Sequence, residues 1–239
     1  MLKGKREQKD PSGKLFKFKH DNPDDLERLL RAEWLKNPHT RRIVAFESVH
    51  SMGGNIQRVE ELCDVAHRYG ALTFCDEVHA IGLYGSTGAG IAETQNIQHK
   101  IDIVSGTLGK GVGGFGGYIA ASSVIVDMIR QYAPGFIFTT AMPPTVLAPN
   151  IASIRILKSS EGQNLREMHW TAVEKLRSEL DKYGIPFNKP SLPSHVTAIQ
   201  LGSADLADSA MRYLDQCGFY APCNITYIYI IPEYLLAAL

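Results

Sequence analysis

Three short apolar runs separated by helical patterns constrain this chain more than any other feature. "RIVAFE" (Arg42–Glu47), "ALTFC" (71–75) and "DIVSG" (102–106) each read as a strand without a polar face. Between the first two lies "RVEELCDVAHRYG", an amphipathic helix stopped by Gly70. Strands that are apolar on both sides and alternate with helices predict a mainly parallel sheet with helices on both faces, an α/β fold. Upstream, Asn22 is the expected N-cap of a helix over "PDDLERLLRAEWL", with Pro23 at its first position and acids in the first turn. Downstream, "GYIAAS" and "GFIFTT" are predicted strands flanking a helix over "VIVDMIRQYA". Past Pro144 two long helical patterns lead to a strand, "SHVTAIQLG", and a helix, "DLADSAMRYLDQCG". The expected division is a major domain over 1–145, connecting helices over 146–184 and a smaller α+β unit over 185–239.

Composition excludes more than it proposes. Lys plus Arg equals Asp plus Glu, 25 each, so no global field draws the chain to nucleic acid or an anionic membrane. No apolar run reaches membrane-spanning length, and no membrane insertion is expected. The basic start "MLKGKREQKD" is not followed by a signal-peptide core, so no targeting segment is read there. Cys63, Cys75, Cys217 and Cys223 form no C-x-x-C pair. Free, mostly buried thiols are expected, and no metal site.

The stretch "SGTLGKGVGGFGGYI" (105–119) carries one lysine among seven glycines. A phosphate loop of the Walker type is ruled out: Val104 stands where its first glycine belongs, and Gly111 follows Lys110 where a hydroxyl is required. Residues 111–116 match G-x-G-x-x-G, but that motif must open a helix, and a strand is predicted here. The remaining reading is a lysine whose amine forms an imine with a carbonyl cofactor, the glycines letting a flat ring approach the backbone. "FCDEVHA" places Asp76 at the carboxyl end of a strand, where open α/β sheets bind ligands. A carboxylate there can pair with the pyridinium nitrogen of pyridoxal phosphate and keep the ring an electron sink. His79 can reach the ring's phenolic oxygen, and Thr107 a phosphate. The plainer alternatives are an ordinary exposed loop Lys110, a capping Asp76, a satisfied core His79 and a turn-forming Thr107.

"FESVHSMGG", "DEVHAIGLYG", "GIAE", "SGTLGKGVGGFGGYIAAS" and "GFIFTTAMPP" resemble the α-oxoamine synthases, pyridoxal phosphate enzymes of fold type I. The resemblance runs from about residue 18 to about residue 224. Within the family, "DEVH" and "GFIFTT" resemble the branch that condenses glycine with succinyl-CoA, releasing CoA and CO2. The resemblance implies Lys110 as the lysine that carries the cofactor and moves the glycine α-proton. It implies that Asp76 pairs with the ring nitrogen, that His79 and Ser51 contact the cofactor and that Thr107 binds its phosphate. It implies that Thr139 and Thr140 reach the phosphate of a neighbouring subunit, hence a homodimer with shared sites. "ESVHSM" and "RILKSSEG" are most similar to animal mitochondrial members, implying the matrix. Two alternatives stay open: a different acyl-CoA, or an inactive form acting through dimerisation.

Four departures from the family pattern stand out. The family's N-terminal part has no counterpart in these residues. Gly53 stands for an aspartate, "HDN" (20–22) transposes the usual H-N-D, and no arginine follows Ile225 where the family binds the glycine carboxylate. A charge-assisted hydrogen bond to a carboxylate contributes roughly 1.5–3 kcal/mol. The expectation is therefore that these 239 residues alone have little or no synthase activity.

Overall fold

A computed structural model describes residues 13–221, 223–224 and 227–230. Helix α1 (Pro23–Lys36) begins as its sequence dictates: Asn22 Oδ1 accepts a hydrogen bond from Asp25 N at 2.8 Å, and Pro23 needs no partner in the first turn. It is followed by β1 (Arg42–Glu47), α2 (Val59–Arg68), β2 (Ala71–Asp76), a short α3 (Ile91–Thr94), β3 (Ile103–Thr107) and β4 (Gly117–Ala121). The sheet order is β1-β2-β3-β4, with the first three strands parallel and β4 antiparallel to β3.

The α/β class is as expected, a mixed sheet with helices packed against it. Val44, Phe46, Ala71 and Cys75 pack with Leu26 and Leu30 of α1 and with Leu62, Cys63 and Ala66 of α2. Burying each of the larger side chains stabilises the fold by about 1.5–3 kcal/mol. Ile43 and Leu72, on the alternate face, remain 64% and 41% exposed. The sequence pattern predicted helices on both faces because both faces of β1 and β2 are apolar.

After β4 come α4 (Ser123–Tyr132), α5 (Pro134–Ile137), α6 (Pro144–Leu157) and α7 (Ser160–Lys182). The strand expected over "GFIFTT" is instead the short helix α5 and an irregular exit. Pro134 sits at its first position with φ preset for a helix, and Ala133 O accepts from Phe136 N and Ile137 N. With no neighbouring strand to pair with, the β propensity of Phe-Ile-Phe has nothing to act on.

The second sheet is antiparallel, order β5-β7-β6, from β5 (Thr197–Gln200), β6 (Cys223–Asn224) and β7 (Tyr227–Ile230), with α8 (Ala204–Gln216) alongside. Strand β7 takes up "YIYI", while residues 231–239 lie outside the described residues. A buried cluster joins this unit to the first sheet. Tyr84 Oη accepts from His195 N at 2.9 Å and meets its Nδ1 at 3.0 Å, and Trp170 of α7 lies edge-on to the Tyr84 ring. All four cysteines are free thiols; Cys63 and Cys75 are buried, whereas Cys217 is exposed, against the expectation of burial. Among the described residues no helix is long and apolar enough to cross a membrane.

Candidate functional site

Parallel strands deliver their carboxyl ends to one edge, and the candidate residues gather there. Register sets Glu47 at the end of β1 opposite Asp76 at the end of β2, and Asp76 opposite Ser105 of β3. Lys110 follows β3 by three residues and His79 follows β2 by three. Their side chains meet: Lys110 Nζ lies 2.6 Å from His79 Nε2. Asp76 Oδ1 accepts from Val78 N at 3.0 Å. Burial pushes the Asp76 carboxyl above the usual aspartate range; the Val78 amide opposes this, Glu47 adds to it and the Lys110 cation opposes it. A protonated ring nitrogen set against Asp76 would reverse that rise. The amine, the imidazole and the underpaired carboxylate therefore suit a charged pyridine bearing an aldehyde.

Two glycines near Lys110 also serve packing within the protein. A Cβ on Gly111 would overlap Ile81 O, so Gly111 lets the lysine loop close against the loop that carries His79. A Cβ on Gly114 would overlap Asn150 Oδ1 of α6. Both close approaches are to protein atoms. The sequence shows that no side chain fits at these positions but cannot say what fills the space.

Thr107 Oγ1 donates to Gly116 O at 3.2 Å and accepts from Gly109 N at 3.2 Å, the geometry of a turn-forming threonine. Its single O–H must leave Gly116 O before it can donate to a phosphate. Ser51 is tied to Glu47, which accepts from Ser51 N at 2.7 Å and from its Oγ at 3.3 Å. Thr139 and Thr140 are exposed beyond α5 and are not hydrogen-bonded to the Lys110–His79 pair.

Two acids escaped the sequence reading. Glu47 ends an apolar strand, the same signal that singled out Asp76. Glu77 is fully buried and accepts from Ser48 Oγ at 2.5 Å, Ile91 N at 3.1 Å and Ala92 N at 2.9 Å. It holds the turn between Asp76 and His79 to the start of α3. Beside Asp76 a cavity of about 320 Å³ is lined by Phe18, His20, Asp21, Glu47, His50 and Phe74 among others, but not by Lys110.

Two of the departures find local explanations. Asp21, at φ 49°, accepts from Arg58 N at 2.8 Å just before α2, while Asn22 caps α1. A Cβ on Gly53 would stand 3.0 Å from Asn55 Oδ1 and from His50 Nδ1, a tight fit for the family's aspartate.

A fold of this kind with a lysine–imidazole–carboxylate edge defines a class. Residues 12–230 match the family described as aminotransferase class I and II, and the chain belongs to that family. More particular likenesses follow. The chain is 56% identical over 191 residues to "5-aminolevulinate synthase, erythroid-specific, mitochondrial" of Delphinapterus leucas, covering 80% of this chain and 32% of the relative. The protein of the same description from Homo sapiens is 55% identical with the same coverage. The chain thus spans about a third of the length of the curated relatives it matches. Among solved structures, serine palmitoyltransferase of Sphingomonas wittichii superposes with TM-score 0.81 at 26% identity, over 90% of this chain and 54% of that one. A structure of SPT with a PLP internal aldimine gives TM-score 0.80 at 28% identity, over 89% and 54%.

Proposed function

We propose that this protein is a pyridoxal phosphate-dependent acyltransferase of the 5-aminolevulinate synthase type. It condenses glycine with succinyl-CoA to 5-aminolevulinate, CoA and CO2, the entry step of haem and tetrapyrrole synthesis. The observation that carries this reading is the 2.6 Å pairing of Lys110 Nζ with His79 Nε2 near a half-buried Asp76. It is supported by the curated relatives and by the PLP-bearing neighbour.

Pyridoxal phosphate supplies an aldehyde that an amine captures with loss of water, and a protonated ring that draws electrons from the bonds around that carbon. Lys110 Nζ would be the amine that holds the aldehyde and, when freed, a base within reach of a substrate α-proton. Asp76 would hold the ring nitrogen in its protonated form. His79, already in contact with Nζ, and Ser51, oriented by Glu47, would hold the ring. Thr107 would hold the phosphate, its hydroxyl then turning from Gly116 O. Thr139 and Thr140 serve the phosphate of a second copy in a homodimer. Support for that copy comes from the exposed apolar side chains around them, Phe136 and Phe138 among others. By its relatives the protein belongs to the mitochondrion, and we place it in the matrix.

The test is spectroscopic. Protein loaded with pyridoxal phosphate is expected to show a visible absorption band that is lost in Lys110→Ala. No band in the parent, or a band that persists in Lys110→Ala, would contradict the assignment.

A further inference from the structure

The loop that carries Lys110 is rooted by Leu108 and Val112, buried with Ile81, while the glycines among them offer only backbone to hold. Leu108 N donates to Gly116 O at 2.9 Å and Gly113 N to Lys110 O at 2.7 Å, but these are bonds within the loop and do not fix it to the body of the protein. Beside the apolar contacts of Leu108 and Val112 with Ile81, helix α6 supplies the polar attachment of that backbone. Asn150, 2% exposed, reads the backbone of Phe115 from both sides: Nδ2 donates to Phe115 O at 3.0 Å and Oδ1 accepts from Phe115 N at 3.3 Å. One turn on, Ser153 Oγ donates to Val112 O at 2.5 Å. The amide occupies the space a Cβ on Gly114 would take, so glycine and asparagine fit as a pair. Asn150 is the buried residue of α6. A buried primary amide is costly unless satisfied, and here the loop backbone satisfies it.

We infer that Asn150 and Ser153 are positioning residues for Lys110, acting through the backbone of residues 112–115. They hold the loop against α6 so that Nζ stays at His79 and does not sample solvent. This rests on the reading of Lys110 as the amine that captures the coenzyme. Displacing a reacting group by about 1 Å can cost on the order of a hundredfold in rate, so a side chain remote from the chemistry can control it.

The measurement uses the whole chain and pyridoxal phosphate as the probe. Trapped adducts are reduced with borohydride, and labelling at Lys110 is counted against labelling at the exposed Lys36 and Lys182 of the same molecules. Amide exchange of residues 108–116 is followed in parallel. In Asn150→Ala the Lys110-to-surface ratio is expected to fall about tenfold as two hydrogen bonds are lost, with faster exchange across the loop. A ratio within twofold of the parent, with unchanged exchange, would overturn the inference. If Asn150→Ala does not fold, Ser153→Ala decides, with a smaller drop of a few-fold expected. If the parent itself shows no preference for Lys110, the functional reading fails. Exchange in the variants then decides the clamp alone: faster exchange supports it, and unchanged exchange overturns it.

Discussion

Asp76 is held between opposing influences, and that balance is the most informative property of any single residue here. Burial raises its pKa, the Val78 amide lowers it, Glu47 raises it and Lys110 lowers it. Glu77, its neighbour, is raised by burial against the stabilising effect of Ser48 Oγ and the amides of Ile91 and Ala92. The sign of its pH effect follows. A carboxyl with a folded pKa above the ordinary 4.5 binds its proton more tightly when folded. Stability is then highest below that ordinary value and declines as pH rises through the raised one. Glu77→Gln is expected to flatten that decline in urea midpoints between pH 4 and 7, at unchanged fold. An equally steep decline in the variant would show that another group is responsible. Gly111 makes a second residue-scale prediction: Gly111→Ala forces a Cβ onto Ile81 O and should destabilise by about 1–3 kcal/mol in denaturant unfolding, whereas a neutral change would mean that the two loops are free to separate.

At the scale of elements, what was legible in the sequence is what is decided locally. The start of α1 is written in Asn22, Pro23 and two acids, and the structure uses each of them. The carboxyl end of β2 identified Asp76, and three-residue spacings brought His79 and Lys110 into the same frame. "GFIFTT" misled because strand formation requires a partner strand, whereas Pro134 acts on its own turn. Asn150 was invisible for a related reason: nothing within α6 marks an asparagine that bonds a backbone 35 residues earlier. Long-range polar contacts of this kind also tie the two sheets together. Tyr84→Phe removes the hydroxyl that accepts from His195 N and leaves that buried amide unpaired. The expected cost is about 1–3 kcal/mol, read as a lower urea midpoint, and a midpoint equal to the parent's would mean that water replaces the hydroxyl.

Taken together, the described residues present apolar surface well beyond what scattered side chains account for. Val124, Tyr132 and Phe138 are 76%, 76% and 86% exposed, and Phe138 directly precedes Thr139 and Thr140. A patch of this kind fits association better than a free surface. Sedimentation at micromolar concentration is expected to show a dimer that Phe138→Asp dissociates; a monomer in both would remove the shared-site part of the account. The central claim is that Lys110 is the amine that takes the coenzyme. It is tested most directly by reducing a stoichiometric mixture of protein and pyridoxal phosphate with borohydride and mapping the modified peptide by mass spectrometry. The account predicts the label on Lys110, with its yield reduced in Asp76→Asn. A label spread over surface lysines, with Lys110 unmodified, would contradict it.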